Sequence, residues 1–156
     1  MPSPSATFTL VNNQEPHRGR TRQILKAHPE VRRLITKAPV TFAVMVACVG
    51  AQVLLAYFVS GLAWYWILLA AYFVGAFFSH TLFVTIHEAA HNLIFRKTWQ
   101  NTAAGIFANF PTVVPTAISF KNFHLQHHVH QGVHELDADL PDWYEAKLIR
   151  NYSVGK

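Results

Sequence analysis

From Ala38 to His87 the chain carries no Asp, Glu, Lys or Arg. A run of about 50 residues is more than twice the ~20 that one membrane-spanning helix needs, so two spans fit. In lipid each backbone N–H and C=O must bond within its own segment, and for an open chain that means helices. The first span is predicted over Val40 to Val59, with Ser60-Gly61 as the turn. The second is predicted from Leu62 to about Phe78, continuing through Ser79 and His80 into the first histidine cluster, with Trp64, Tyr65 and Trp66 at the level where amphipathic rings favour headgroups. So short a turn makes the two helices antiparallel neighbours. The expected fold class is an all-α membrane protein: an antiparallel transmembrane hairpin with cytosolic and interfacial helices that carry its histidines.

The remaining charge is unevenly placed. The formal charge of +5 in 156 residues raises the question of nucleic acid, since Lys/Arg clusters neutralise phosphates. Topology explains it better. Arg18, Arg20, Arg22, Lys26, Arg32, Arg33 and Lys37 precede the first span, Arg96 and Lys97 follow the second, and nothing charged lies between. The positive-inside rule then puts both ends of the hairpin in the cytosol, and no nucleic-acid partner is expected. A secretory signal would place a short apolar core close to the N-terminus, whereas residues 1–37 are polar. Pro2 stands where myristoylation requires glycine. Cys48 is the single cysteine, which excludes an intrachain disulfide and leaves it the role of a small buried hydrophobe.

Residues 1–38 read as a cytosolic N-terminal segment and 39–156 as the membrane domain. Residues 1–15 lack periodicity, while Thr21 to Lys37 reads as two short surface helices on anionic lipid, the second opened by Pro29. A merely solvated polar face fits that segment equally well. Trp99 to Phe120 is apolar but contains Asn101, Asn109, Pro111 and Pro115. Prolines there remove helical hydrogen bonds that lipid cannot replace, so an interfacial or re-entrant segment is expected, returning the chain to the same face. Beyond it, Asp137, Asp139 and Asp142 form an acidic run beside the interfacial aromatics Trp143 and Tyr144.

Two histidine clusters flank that segment: His87-Glu-Ala-Ala-His91 and His124-Leu-Gln-His127-His128. Residues four apart on a helix differ by about 40° in direction, so His87 and His91 share a face and can bind one metal. His124 with His127 and His128 brackets a second face, which serves one metal or reaches two. Imidazoles suit iron, copper and zinc. His-Glu-x-x-His is also the zinc-protease pattern. A catalytic zinc, however, uses three protein ligands and an open position, and five clustered histidines are better explained by a second metal. His80 lies seven residues before His87, about 10 Å deeper into the membrane by the helical rise. It is a candidate for supporting the metal site or bonding across the hairpin. His130 and His134 are weaker candidates of the same kind, His17 and His28 read as surface residues, and Glu88 either orients a ligand histidine or faces water.

The run from Ser79 through His87-Glu-Ala-Ala-His91-Asn92, Phe107-Ala-Asn-Phe-Pro111, Ile118-Ser-Phe-Lys121, His124-x-x-His-His128 and Asp137-x-Asp-x-Pro141 resembles the sphingolipid delta-4 desaturases. So does Pro16-His17-x-x-Arg20 followed by Ile24-Leu25-Lys26-x-His28-Pro29-Glu30, and the resemblance covers nearly the whole chain. It implies an integral membrane enzyme that uses two non-haem irons and O2 to remove hydrogens from carbons 4 and 5 of the sphinganine chain of dihydroceramide. Electrons would come from a donor such as cytochrome b5. Carried over residue by residue, it implies metal ligation by His87, His91, His124, His127 and His128, with His80, Glu88 and Asn92 supporting the site or lining the substrate channel. The location implied is the endoplasmic reticulum in a eukaryote or the inner membrane in a bacterium.

The family also has a third His-x-x-His-His box after a second pair of spans, and the sequence reaches Lys156 without either. The chain therefore reads as the N-terminal part of a longer enzyme, expected to be inactive and to bind iron weakly without the missing C-terminal half. A sphingolipid carbon-4 hydroxylase and a non-enzymatic membrane protein that pairs with a full-length partner are the alternatives.

Overall fold

The structure is a computed structural model, which describes residues 17–133, 136–142, 144 and 145. Every regular element among them is helical. They are α1 (His17–Ala27), a 3-10 helix over Pro29–Leu34, α2 (Val40–Val59), α3 (Trp64–Ala70), α4 (Ala76–Ala90), α5 (Thr98–Ala108) and α6 (Ala117–His130). The chain divides into two compact units, one of residues 1–34 with 123–156 and the other of 35–122.

In the first unit, α1 and the 3-10 helix follow one another with Pro29 as the opening residue of the second, where a missing N–H costs nothing. The leading segment through Pro16, together with His134, Glu135, Trp143 and residues 146–156, lies outside the described residues.

The second unit holds both apolar helices. α2 has the bounds expected of the first span. The second helix begins at Trp64, two residues later than expected, and runs on to Ala90, into the first histidine cluster. Five residues of π-helix, Ala71–Gly75, join α3 to α4 without breaking it. The apolar pattern stops before the helix does: the polar last turn, with His87 and Glu88, stays helical.

Only 17% of the α2 window and 11% of the Trp64–Ala90 window is buried within the protein, although both are apolar on all faces. Val53, Leu54, Phe58, Leu69, Phe73 and Phe77 are among the side chains left exposed. A helix apolar all round is surrounded by protein or lipid, and the described residues leave most of each helix uncovered. Length and composition both suit a membrane span.

What is buried is a narrow seam. Met45, Cys48 and Val49 of α2 meet Leu82, Ile86 and Ala89 of α4, and Ala104 and Ala108 of α5 close the cluster with Ile94 and Ala117. Cys48 takes the expected place of a small hydrophobe. Phe42, in the first turn of α2, sits 5.4 Å from the Phe95 ring and 5.8 Å from Phe107.

One polar side chain crosses the seam deep in the apolar region. Gln52 donates from Nε2 to Gly75 O at 3.1 Å and to Ser79 Oγ at 2.7 Å, tying α2 to the second helix beside the π turn. Interhelical hydrogen bonds in membranes average about 0.6 kcal/mol each and reach about 1.7. Gln52→Leu is therefore expected to lower stability in bilayer micelles by about 1 kcal/mol. Reversible denaturation of the two proteins checks this.

The region 99–120 forms no helix long enough to cross a membrane. α5 ends at Ala108, and the Asn109 side chain organises the proline-containing turn that follows. Its Oδ1 accepts the Ala117 N–H at 2.6 Å, and its Nδ2 donates to Val114 O at 2.9 Å and to Thr112 Oγ1. The first free N–H of α6 is thus capped from eight residues upstream, which fixes where the second histidine helix begins.

Candidate metal centre

α4 delivers the first histidine pair and then stops abruptly. Asn92 takes a left-handed conformation with φ 57°. Its N–H bonds to Ala89 O at 3.0 Å and the Leu93 N–H to Glu88 O at 3.0 Å, the paired bonds of a Schellman C-cap. Lys37 Nζ then donates to Asn92 O at 2.7 Å, and the Ala38 N–H to Leu93 O at 2.8 Å. The residues entering α2 are thereby stapled to those leaving α4. Within this frame His87 and His91 stand one turn apart with ring centroids 4.7 Å apart, and Phe120 lies 6.2 Å from His87. The expected shared face is present.

The supporting candidates behave differently from one another. Glu88 is half-exposed, with Oε1 3.7 Å from His87 Nδ1, which is beyond hydrogen-bond length. His80 is exposed on α4; the bond across to α2 is made by its neighbour Ser79 instead. The visible role of Asn92 is its backbone, since its Oδ1 is buried with no hydrogen-bond partner. Left-handed φ costs an L-residue with a Cβ about 1–2 kcal/mol, less for Asn and nothing for Gly. Asn92→Gly should hold stability and Asn92→Val should lose more than about 1 kcal/mol. Equal losses in a thermal melt of the two variants would contradict the capping role.

α6 delivers the second cluster. His124 and His128 bring their Nε2 atoms to 3.1 Å, one ring donating to the other. Two cis ligands of one ion with metal–imidazole bonds of about 2.1 Å stand at nearly this separation, so the pair fits a metal's donor set. His127 is turned elsewhere. Its Nδ1 is 2.6 Å from Asp137 Oδ1 and 3.4 Å from Asp139 Oδ2. The hydrogen bond to Asp137 holds the His127 pKa above its ordinary value against the opposing effect of burial, helped by the charges of Asp137 and Asp139. Burial alone pushes the Asp137 carboxyl up. The N–H of Gly132, the His127 ring and the N–H of Asp139 together outweigh it and leave its pKa below the usual value. His130 ends α6, where its carbonyl accepts the Val133 N–H. His28 is exposed and bonds Glu30 at 3.1 Å, as a surface residue would.

Sequence reading missed Asp137 as a buried partner of a histidine. It stood in an acidic run, and only its tenth-residue separation from His127 in a turn-rich segment hinted at a return contact.

Imidazole pairs at chelating separation beside apolar helices are the setting in which known proteins become informative. The profile described as fatty acid desaturase matches residues 63–153, more than half of the chain and both histidine clusters. The chain belongs to the fatty acid desaturase family. A second profile, sphingolipid delta4-desaturase, matches residues 6–39 of this desaturase-family chain. It is 44% identical over 147 residues to a sphingolipid delta(4)-desaturase of Schizosaccharomyces pombe, covering 92% of this chain and 40% of that protein. It is 42% identical over 137 residues to a rice protein named sphingolipid delta(4)-desaturase DES1-like, covering 88% of this chain and 42% of the relative. A bovine sphingolipid delta(4)-desaturase/C4-monooxygenase DES2 is 35% identical over 144 residues, covering 91% and 45%. The chain thus spans less than half the length of these relatives. No solved structure matches it.

Proposed function

We propose that this chain supplies the first two histidine boxes of a membrane-bound sphingolipid delta-4 desaturase. The reaction would be the O2-dependent introduction of a double bond between carbons 4 and 5 of the sphinganine chain of dihydroceramide. The observation that carries this reading is the pair of chelating histidine arrangements, His87/His91 at the end of an apolar helix and His124/His128 on α6. Similarity to curated sphingolipid desaturases over most of the chain supplies the substrate class.

The topology proposed is a transmembrane hairpin of α2 and Trp64–Ala90 with both ends cytosolic. The staple from Lys37 and Ala38 to Asn92 and Leu93 supports it, and so do the cations on both sides of the hairpin. Residues 1–38 would lie against the cytosolic leaflet, in the endoplasmic reticulum of a eukaryote or the inner membrane of a bacterium, where a donor such as cytochrome b5 delivers electrons.

Two non-haem irons suit the donor set, because neutral imidazoles bind iron without adding negative charge. His87, His91, His124, His127 and His128 would hold them, with the remaining ligands supplied by sequence outside these 156 residues. When bound, iron supplies the activation of O2 that hydrogen removal requires. The chain's part is to present imidazoles where a lipid chain can approach from the bilayer and where apolar walls, Phe83 and Phe120 among them, exclude water.

A carbon-4 hydroxylase is the second reading, favoured by the bovine relative whose name carries both activities. Mass spectrometry of dihydroceramide incubated with the complete gene product, O2 and reductant separates the two. Loss of two hydrogens supports desaturation and gain of one oxygen supports hydroxylation. An unchanged substrate under conditions where a known desaturase turns over would contradict both.

A further inference from the structure

Asp137 is an acidic residue only 5% exposed, which its place in a polar run does not explain. Carboxylates are rarely buried to this extent without a partner for each oxygen. Here every partner is identifiable. Oδ1 accepts from His127 Nδ1 at 2.6 Å and from the Asp139 N–H at 2.9 Å, while Oδ2 accepts from the Gly132 N–H at 2.8 Å. The carboxylate is held in place by a turn built to hold it. After α6, Val133 bonds back to His130, Gly132 adopts φ +79°, and the Asp137 N–H bonds to Val133 O at 2.9 Å.

We propose that Asp137 is the positioning residue of the second histidine box: it accepts the Nδ1–H of His127, fixes the ring's tautomer and orientation, and leaves Nε2 as the nitrogen that meets a metal. The proposal rests on the reading of His127 as an iron ligand. A histidine ligand needs its other ring nitrogen held, most often by a carboxylate or a carbonyl, and loss of that partner typically lowers metal affinity about 10–100-fold. His124 and His128 face each other through Nε2. In His127 it is Nδ1 that is taken, so the carboxylate decides which nitrogen remains.

Asp137 is better suited to holding the ring than to ligating the same ion. Nδ1 and Oδ1 stand at the length of a strong charge-assisted hydrogen bond. The two carboxylate oxygens already accept two backbone N–H groups besides the imidazole.

The test uses the chain in lipid nanodiscs with 15N,13C-labelled histidine, free of metal and at a pH where the rings are neutral, the His127 signals being assigned by comparison with His127→Gln. The expected spectrum shows His127 as the Nδ1–H tautomer. Asp137→Asn and, independently, Gly132→Ala should shift it towards the Nε2–H form. Gly132→Ala changes neither side chain and keeps the N–H that Asp137 accepts: a Cβ there meets nothing within 4 Å and acts only through the strained φ. In anaerobic Fe2+ titrations of the complete protein Asp137→Asn should weaken binding about 10–100-fold with unchanged circular dichroism. An Nε2–H tautomer in the parent overturns the proposal. So does Fe2+ affinity within twofold of the parent for Asp137→Asn while His127→Ala loses it. If His127→Ala itself binds Fe2+ as the parent does, the reading of His127 as a ligand fails, and the proposal falls with it.

Discussion

Asn101→Ala is expected to destabilise the chain by about 3–4 kcal/mol and to release the segment that follows His91. Asn101 is fully buried and its amide makes four hydrogen bonds. Oδ1 accepts the N–H groups of Ile94 at 3.1 Å and Phe95 at 3.0 Å, and Nδ2 donates to Phe95 O at 2.8 Å and Lys97 O at 2.9 Å. The Ile94 N–H has no water to turn to, because Ile94 is 1% exposed. Leaving a buried donor unsatisfied costs about 1–3 kcal/mol; alanine orphans that of Ile94 and also strips the part-buried Phe95 N–H and two carbonyls of their partner. Asn101→Asp keeps the acceptor but sets a carboxylate against two carbonyls, so it should not rescue. Hydrogen exchange checks both claims. Protection of the Ile94 and Phe95 amides should fall by more than about a hundredfold in Asn101→Ala, the equivalent of at least 2.7 kcal/mol. Unchanged protection would contradict the account.

A larger effect is expected at the histidines, on activity and not on stability. Alanine at His87, His91, His124 or His128 should lower desaturation by more than about a hundredfold in the complete protein, since even a residue that only supports a metal ligand typically costs 10–100-fold. Each ring is partly or fully accessible in this structure, so truncating one opens no cavity in the seam of the fold. The variants should therefore melt within a few degrees of the parent. Quantifying carbon 4–5 unsaturated ceramide against melting temperature separates a lost ligand from a lost fold: the former changes the product alone, the latter both.

The helices were legible because their signals are local and periodic. The charge-free run gave α2 its bounds, Pro29 its helix start, and the spacing of four its paired histidines. The second helix was read as continuing into the first histidine cluster, but its stop signal was not identified. What ends it is Asn92 at φ 57°, and Asn is a weaker stop signal than the glycine usually found there. Gln52, Asn101, Asn109 and Asp137 went unread for a common reason. Each bonds to groups its own element does not predict: a carbonyl exposed beside a π turn, two N–H groups of an irregular loop, the start of the next helix, a ring one helix end away. A polar residue in an apolar stretch is the only mark such roles leave in sequence. Gln52 and Asn101 both carried it.

The central proposal is that both histidine clusters ligate iron in an enzyme that acts on a lipid. Iron content of the complete protein, purified anaerobically, tests it most directly when the parent is compared with His91→Ala and with His124→Ala. The account predicts iron in the parent and a loss in both variants, because each removes an iron ligand. Full iron retention after loss of either cluster, in a protein that remains folded, would contradict it.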